Sequence, residues 1–247
     1  MAYALQANGS IYTVAPTLGD ILQMGTLRIV RRDFYWPAAQ SGTFFAQGAA
    51  DVGQRELSLF VNGGNISLYL GGSSTVLGSW DSLIGSGVDL DGELDFTVDV
   101  TNSTVTLTVG GNTILNAFSV NKGTERISSM SYMGFARAGD NVEGTTNGAF
   151  IAPSGALSGD EDVYINSVLT RTYVMPSSGS TITDTLSGAD ATVYGGTPSY
   201  VDTGGGQTDT ITISEPFEPN AVYQRGSDGS ATTTFDVTYT GNPSALS

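Results

Sequence analysis

The fold is decided by Arg55–Gly72, which reads Arg-Glu-Leu-Ser-Leu-Phe-Val-Asn-Gly-Gly-Asn-Ile-Ser-Leu-Tyr-Leu-Gly-Gly. On both sides of Gly63-Gly64, aliphatic residues alternate with polar or aromatic ones, which is the period-2 pattern of half-buried strands. Two central glycines permit the positive φ angles of a two-residue hairpin turn. A turn at this point predicts the cross-strand pairs Val61 with Ile66, Leu59 with Leu68 and Leu57 with Leu70, all on one apolar face.

The opposite face of this hairpin carries Ser58, Phe60, Ser67 and Tyr69. Phe60 and Tyr69 are diagonal neighbours there, close enough for their rings to touch. An aliphatic face backed by a polar face with aromatic rings is typical of a sheet in a β-sandwich. The hairpin therefore predicts a sandwich with one face available for binding.

A second hairpin is predicted over Gly92–Val109, where apolar residues again alternate with polar ones. A turn at Asn102-Ser103 would pair Val100 with Val105, Val98 with Leu107 and Phe96 with Val109. Further short strands are expected along the chain, beginning with two around the Asn8-Gly9 turn in Tyr3–Val14. Helical periodicity extends nowhere beyond a turn or two, so the sequence predicts an all-β protein.

Composition narrows the possible functions. The 247 residues carry a net charge of −15 with a pI near 4.1, which argues against nucleic acid or an anionic membrane as a partner. The sequence contains neither cysteine nor histidine. Ser-His-Asp and Cys-His nucleophilic catalysis and nearly all zinc chemistry are thereby excluded.

The first residues, Met1–Gln6, show no basic start and no apolar segment of the kind found in signal peptides. No apolar run in the sequence is long enough to cross a bilayer as a helix. We therefore expect a chain without a signal peptide and without a membrane partner.

The chain has an opening segment, three segments in its middle and a closing segment: Tyr3–Gln6 with Asn8–Ser10, Thr26–Arg32, Arg55–Leu59, Asp162–Arg171, and Thr181–Asp184 with Leu186–Asp190. The order of these segments resembles the laminin-G/concanavalin-like jelly-roll domain of phage and other virion surface proteins. The resemblance implies a jelly-roll sandwich and a place on the surface of a virion head or tail.

Three regions are expected from the order of segments and the composition. Residues 1–202 form the jelly roll, and residues 203–208 form a Gly-rich linker. Residues 209–247 resemble the start of an immunoglobulin-like module. They are too few for a complete sandwich of this type, which needs about seven strands and about 100 residues. A partial second β module is therefore predicted.

Glu93-Leu94-Asp95-Phe96-Thr97 is the segment that most resembles a catalytic strand. Glycosidases with this jelly-roll fold place alternating acidic residues on one strand, and retaining enzymes need two carboxyl groups about 5–5.5 Å apart. Thr97 stands where the second carboxylate would be required. We interpret the acidic residues as a solvated strand face and expect no enzymatic activity.

Two acidic segments are candidates for a calcium site, which domains of the laminin-G type often hold at a loop rim. The candidate ligands are Asp89 and Asp91 in one segment and Asp160 and Asp162 in the other. Acidic loops are also expected in any chain of this net charge. No other cofactor is predicted.

Five aromatic residues are candidates for stacking against sugar rings, because an apolar sugar face packs on an aromatic ring while polar groups at the rim bind the hydroxyls. They are Tyr35, Trp36, Phe60, Tyr69 and Trp80. The alternative for each is a structural position covering the sheet. Arg28, Arg31 and Arg32 are candidates to bind acidic sugars or the acidic loops of a neighbouring subunit.

These features favour a virion-associated structural protein, on a phage head or tail appendage, that displays a glycan-binding or assembly-mediating β-sandwich. The expected partners are other virion proteins, a host surface glycan and further copies of the chain, most simply as a trimer. The alternative is the N-terminal carbohydrate-binding part of a carbohydrate-active hydrolase or esterase.

Overall fold

A computed structural model of the chain describes residues 2–48, 55–124, 132–133, 152–203, 208–213 and 233–238. The chain divides into a compact unit, Tyr3–Val201, and a second unit of Met1–Ala2 with Asp202–Ser247. In the first unit, the short helical elements are a 3-10 turn, Ile21–Gln23, and α1, Trp80–Leu83. All other regular elements are strands.

The strands up to the middle of the first unit are β1 (Tyr3–Gln6), β2 (Tyr12–Val14), β3 (Thr26–Trp36), β4 (Gly42–Gly48), β5 (Arg55–Asn62), β6 (Asn65–Leu70), β7 (Ser73–Ser79), β8 (Leu90–Asp99), β9 (Thr104–Val109) and β10 (Asn112–Ser119). The later strands are β11 (Tyr132–Met133), β12 (Leu157–Ser158), β13 (Glu161–Ile165), β14 (Val168–Val174), β15 (Thr181–Asp184), β16 (Ala191–Tyr194), β17 (Ser199–Asp202), β18 (Thr208–Ile213) and β19 (Thr233–Thr238).

Two antiparallel sheets build the first unit. The large sheet has the order β10-β9-β8-β3-β13-β14-β15-β16-β2, with β12 pairing β1 and β3, and β17 pairing β1. The second, five-stranded sheet has the order β11-β4-β5-β6-β7. Every described strand pair in both sheets is antiparallel, as a sandwich of meandering and crossing strands requires.

One hydrophobic core contains residues of both sheets. Trp36 of β3 meets Phe44 of β4 with ring centroids 4.5 Å apart, and Phe45 of β4 meets Phe96 of β8 at 5.0 Å. These contacts join the large sheet to the five-stranded sheet face to face. The predicted all-β sandwich is therefore confirmed.

The hairpin that decides the fold has the predicted register. Val61 pairs with Ile66, Leu59 with Leu68 and Leu57 with Leu70, and all six side chains are fully buried. The turn residues Gly63 and Gly64 have φ angles of 55° and 74°, which side chains with a Cβ rarely adopt. Phe60 and Tyr69 stack on the opposite face with centroids 5.5 Å apart, as predicted.

The second hairpin has a different register from the one predicted. Val98 pairs with Val105, Phe96 with Leu107 and Leu94 with Val109. The turn is longer than predicted because Asp99 binds Asn102 across it. Asp99 Oδ1 accepts from the Asn102 amide at 2.8 Å, and Asp99 Oδ2 accepts from Asn102 Nδ2 at 2.7 Å. The prediction was wrong by two residues, which leaves the same side chains on the apolar face.

A buried arginine links the two sheets. Arg31 of β3 is fully buried and donates to Glu161 of β13 from Nε at 3.0 Å and also from Nη2. Its Nη1 donates across the sandwich to the carbonyl oxygen of Phe44 on β4 at 2.9 Å. The guanidinium is therefore neutralised within the large sheet and bonded to the backbone of the five-stranded sheet.

In the second unit, the described part is the pair β18–β19, whose register runs from Thr208 opposite Thr238 to Ile213 opposite Thr233. Residues 204–207 of the predicted linker and most of the predicted immunoglobulin-like segment lie outside the described residues. Thr208, assigned to the linker from composition, is the first residue of β18. The immunoglobulin-like identity stays a prediction.

Truncation of the central hairpin is expected to destabilise the fold strongly. Leu59→Ala or Leu68→Ala removes a fully buried side chain and should lower the free energy of unfolding by about 2–5 kcal/mol. The matched control is Val76→Ala on the neighbouring strand, whose side chain is 61% exposed, with an expected change within about 0.5 kcal/mol. Chemical denaturation measures both, and equal effects would contradict the assigned faces.

Removing one partner of the buried ion pair is expected to cost more than removing both. Glu161→Ala leaves the Arg31 charge buried and uncompensated, which should cost about 3–5 kcal/mol. The double variant Arg31→Met, Glu161→Leu should be more stable than Glu161→Ala alone. Asp95→Ala, at the exposed pair with Arg28, is the control, at about 0–1 kcal/mol. A double variant less stable than the single one would refute this account.

Candidate ligand-binding face

The outer surface of the large sheet is formed by alternate residues of β3, β8 and β13. Leu27, Ile29, Phe96, Val98 and Val163 are fully buried and face the core. The residues between them, which include the buried Val30, lie on the other side of the sheet. We call this surface the polar face, and it comprises Arg28, Arg32, Glu93, Asp95, Thr97, Asp162 and Tyr164.

Arg28 of the polar face has both a carboxylate and an aromatic partner. Its Nε and Nη2 donate to the two carboxylate oxygens of Asp95 at 2.9 and 2.7 Å, and its guanidinium lies over the Tyr164 ring at 5.3 Å. The hydrogen bond to Asp95 raises the pKa of Arg28. A bidentate pair fixes the plane of the guanidinium, so the cation and the ring hold a set geometry before any ligand arrives.

Arg32 continues this arrangement on the same face. Its Nη2 donates to Asp162 Oδ2 at 2.7 Å, and the Thr172 hydroxyl donates to Asp162 Oδ1 at 2.8 Å. The hydrogen bond to Asp162 raises the pKa of Arg32. Both arginines of the polar face are therefore paired with carboxylates of their own sheet.

The four predicted calcium ligands do not fit a calcium site. Both oxygens of Asp162 are engaged as described, and Asp89 accepts from the Tyr35 hydroxyl at 2.7 Å and the Ala38 amide at 2.8 Å. Asp160 accepts from the Met175 amide at 2.8 Å, and burial raises its pKa. Asp91 lies opposite Tyr35 in the β3–β8 ladder. Within the described ranges, no three acidic, histidine or cysteine residues gather as metal ligands, whereas calcium needs six to eight oxygens.

Two of the predicted stacking residues belong to the core. Trp36 and Trp80 are 0% and 1% exposed. Trp36 Nε1 donates to the Gln40 carbonyl at 2.9 Å and Trp80 Nε1 to the Val88 carbonyl at 2.8 Å, so their polar atoms are also satisfied internally. Their ring faces are not available to a sugar, and the structural alternative is correct for both.

The remaining three aromatics do not converge on one site. Phe60 is 5% exposed and stacks on Tyr69 on the face of the five-stranded sheet that the hairpin predicted to be available for binding, so that prediction is wrong at Phe60. Tyr35 lies on the large sheet, where its hydroxyl donates to Asp89 and this hydrogen bond raises the pKa of Tyr35. Tyr35 and Tyr69 are half-buried and belong to different sheets.

The acidic strand that resembles a catalytic one lies on the polar face. Asp95 is held by Arg28, Thr97 pairs with Arg28 across the β3–β8 ladder, and Glu93 is exposed. Both carboxylate oxygens of Asp95 accept from the Arg28 guanidinium, so Asp95 serves to position Arg28. The absence of enzymatic activity stays a prediction.

Tyr164 of the polar face was not among the candidate residues that the sequence suggested. The signal was available, because Asp162 and Tyr164 alternate with Val163 and Ile165 along one short strand. The sequence did not reveal that Arg28 would be its neighbour. Tyr164 contacts Arg28 because β13 pairs with β3, and these two strands are far apart in the chain.

The closing segment has a structural role centred on Asp184. This side chain is 2% exposed, and its Oδ1 accepts from the amides of Thr172 and Leu186 at 3.0 Å and of Ser187 at 3.2 Å. The Ser187 hydroxyl donates to Oδ2. Burial by itself raises the pKa of Asp184, but the hydrogen bonds from Ser187, Thr172 and Leu186 outweigh it and lower the pKa to about 2. The carboxylate ties β14 to the loop after β15.

No protein-family model and no curated protein match the chain. Solved structures do. They include a native heptameric SAP-like pentraxin from Limulus polyphemus (16% identity, 66% of this chain and 75% of that one, TM-score 0.41). Mouse laminin alpha1 domains LG4-5 match at 16% identity over 67% of this chain and 42% of that one, with a TM-score of 0.42.

The full extracellular region of zebrafish Gpr126/Adgrg6 matches at 13% identity, over 85% of this chain and 28% of that one, with a TM-score of 0.50. Identities this low indicate a likeness of fold alone, and the two TM-scores below 0.5 carry no argument. The strand order itself defines the class: an all-β, two-sheet sandwich, in agreement with the concanavalin/laminin-G-like fold class predicted. Within the described part of the chain, no helix is long and apolar enough to span a membrane.

Proposed function

We propose that the chain is a virion-associated structural protein of a phage head or tail appendage, and that its sandwich binds a glycan on the host surface. The place on a virion is supported by the resemblance of the order of its segments to that of phage surface proteins. The binding role is supported by the polar face. Its single strongest feature is the Arg28–Tyr164 pair, fixed by Asp95.

This pair has the chemistry of a sugar platform. An aromatic ring and a guanidinium plane offer apolar and cationic surfaces on which the C–H face of a pyranose can pack. Thr97 and Thr106, which pair across β8 and β9, supply hydroxyls beside it. Because Arg28 and Arg32 are already paired with carboxylates and Glu93 is exposed, the face favours neutral sugars over acidic ones.

The binding role is proposed without catalysis. The chain has no histidine and no cysteine, and Asp95, the carboxylate nearest Glu93 on its strand, is bonded to Arg28. A glycosidase needs two carboxyl groups free to exchange protons or attack the sugar. The polar face would hold its ligand unchanged.

The proposed assembly is a homo-oligomer, most simply a trimer, in contact with other virion proteins. Arg31, once a candidate for subunit contacts, is fully buried, so it cannot serve in this way. A better surface is the tip of the β13–β14 hairpin, where Val168 is 63% and Leu169 38% exposed. Exposed aliphatic side chains in an acidic chain suit a contact that excludes water.

Glycan binding is expected to depend on the polar face. Tyr164→Ala should weaken binding of a neutral glycan at least about tenfold, as loss of a stacking contact worth about 1.5 kcal/mol implies. Tyr69→Ala, which removes a half-buried ring from the other sheet, is the matched control and should bind as the wild type does. A glycan array followed by calorimetry measures both. Equal losses, or release of sugar that Glu93→Gln abolishes, would contradict the proposal.

Particle association separates the proposal from its alternative. If the chain is a virion component, mass spectrometry of gradient-purified phage particles should find it in near-stoichiometric amounts with the structural proteins. The alternative, an N-terminal carbohydrate-binding part of a hydrolase or esterase, is favoured by one observation: the chain divides into a compact sandwich and a separate unit from Asp202 onward. Recovery only from the particle-free fraction, together with a hydrolase activity, would support that alternative.

A further inference from the structure

The segment between β2 and β3 is held by side chains from both sheets. We call Pro16–Met24 the strap. From the large sheet, Arg171 donates through Nη1 to the Pro16 carbonyl at 2.6 Å and through Nη2 to the Thr17 carbonyl. From the five-stranded sheet, Gln47 accepts from the Leu18 amide at 2.7 Å and donates to the Gly19 carbonyl at 2.6 Å.

Glu56 of β5 is the third residue at the strap, and it is fully buried. Its Oε2 accepts from Gln47 Nε2 at 3.0 Å, and the Ile21 amide of the strap also hydrogen-bonds to its carboxyl group. Its Oε1 is buried without a hydrogen-bond partner among the described residues. A buried carboxylate oxygen without a donor destabilises the folded state, because its hydrogen bonds to water are lost and no hydrogen bond within the protein replaces them.

Asp20 of the strap is the side chain that can complete this site. It hydrogen-bonds to Glu56, yet it is itself a carboxyl group, and its Oδ1 accepts from the Leu22 amide at 3.1 Å. Two carboxyl groups share a hydrogen bond only when one of them carries a proton. A proton on Glu56 turns the unsatisfied oxygen into a donor and satisfies both groups at once.

The surroundings of Glu56 favour that proton. Burial raises the pKa of Glu56, and the neighbouring Asp20 carboxyl raises it further, whereas the hydrogen bonds from Gln47 and the Ile21 amide oppose the rise. The group that faces Glu56 from β4 is the neutral Gln47, and the charge that acts most strongly on it comes from Asp20. Arg171, from β14, bonds to the Pro16 and Thr17 carbonyls at the other end of the strap.

We propose that Glu56 is a protonation-controlled latch: its protonated carboxyl donates to Asp20 and holds the strap, and loss of that proton to solvent releases the strap. This inference is independent of the glycan-binding proposal. The stabilisation is fully present below the pKa of an unfolded glutamic acid, about 4.3, and is lost as the pH rises through the higher folded-state value. Beyond that value, each pH unit lowers the protonated fraction about tenfold.

Hydrogen exchange of the full chain tests the latch. The probes are the Leu18 and Leu22 amides, which donate to Gln47 and Asp20, followed by NMR between about pH 4 and about pH 8 and corrected for intrinsic exchange. In the wild type, their protection should fall as the pH rises, by up to about tenfold per pH unit. In Glu56→Gln, the amide donates to Asp20 at every pH, so protection should stay constant.

Two further variants make the outcome decisive. Asp20→Asn should also remove the pH dependence, because its amide can donate to an ionised Glu56 while its oxygen still accepts from the Leu22 amide. Glu93→Gln, at an exposed glutamate, should keep the wild-type profile. If Glu56→Gln does not fold, Asp20→Asn alone carries the test. Wild-type protection that does not change with pH, or an unchanged pH profile in Asp20→Asn, would overturn the proposal.

Discussion

The packing of the two sheets depends on the buried charge of Arg31, which needs hydrogen-bond partners from both of them. Arg31 extends from the centre of the large sheet, binds Glu161 on the adjacent strand and donates to the Phe44 carbonyl of the facing sheet. An unpaired guanidinium at this depth would be prohibitively costly, so the register of β3 with β13 and the position of β4 are all required together. Packing of aliphatic side chains alone would tolerate several relative positions of the two sheets. The hydrogen bonds of Arg31 to Glu161 and to the Phe44 carbonyl are all satisfied in only one of these positions.

The local alternation of apolar and polar residues was sufficient to predict the two hairpins. The Gly63-Gly64 hairpin was predicted to the residue because aliphatic alternation and turn chemistry agree. Around Asn102 the same alternation fitted two registers, and the Asp99 side chain, which the pattern does not weigh, selects the longer turn. In both hairpins the alternation determines which face is apolar. In the second hairpin, the hydrogen bond from the Asn102 amide to Asp99 determines the length of the turn.

The pairing of strands that are distant in the chain could not be predicted from the sequence. The polar face depends on such pairing. The two strands predicted around Asn8-Gly9 are present, and their partners come from late in the chain: β1 pairs with β12 and β17, and β2 pairs with β16. Trp36 was a stacking candidate by its residue type, yet it is the last residue of β3 and its side chain is buried in the core. Tyr164 was overlooked because its partner Arg28 lies far away in the chain. The residues of the polar face were visible in the sequence, but their assembly into one surface was not.

The central position of β3 has a consequence for the order in which the molecule folds. The two strands that flank it, β8 and β13, come from distant parts of the chain, and the Arg31–Glu161 contact closes a loop of 130 residues. Closing so large a loop costs conformational entropy before any contact compensates for it. The local hairpins β5–β6 and β8–β9 can form early, but the large sheet is completed only after β13 has been synthesised. A nascent chain emerging from the ribosome therefore carries an unpaired edge of β3 for much of its synthesis, which is the period when association with other chains is most dangerous.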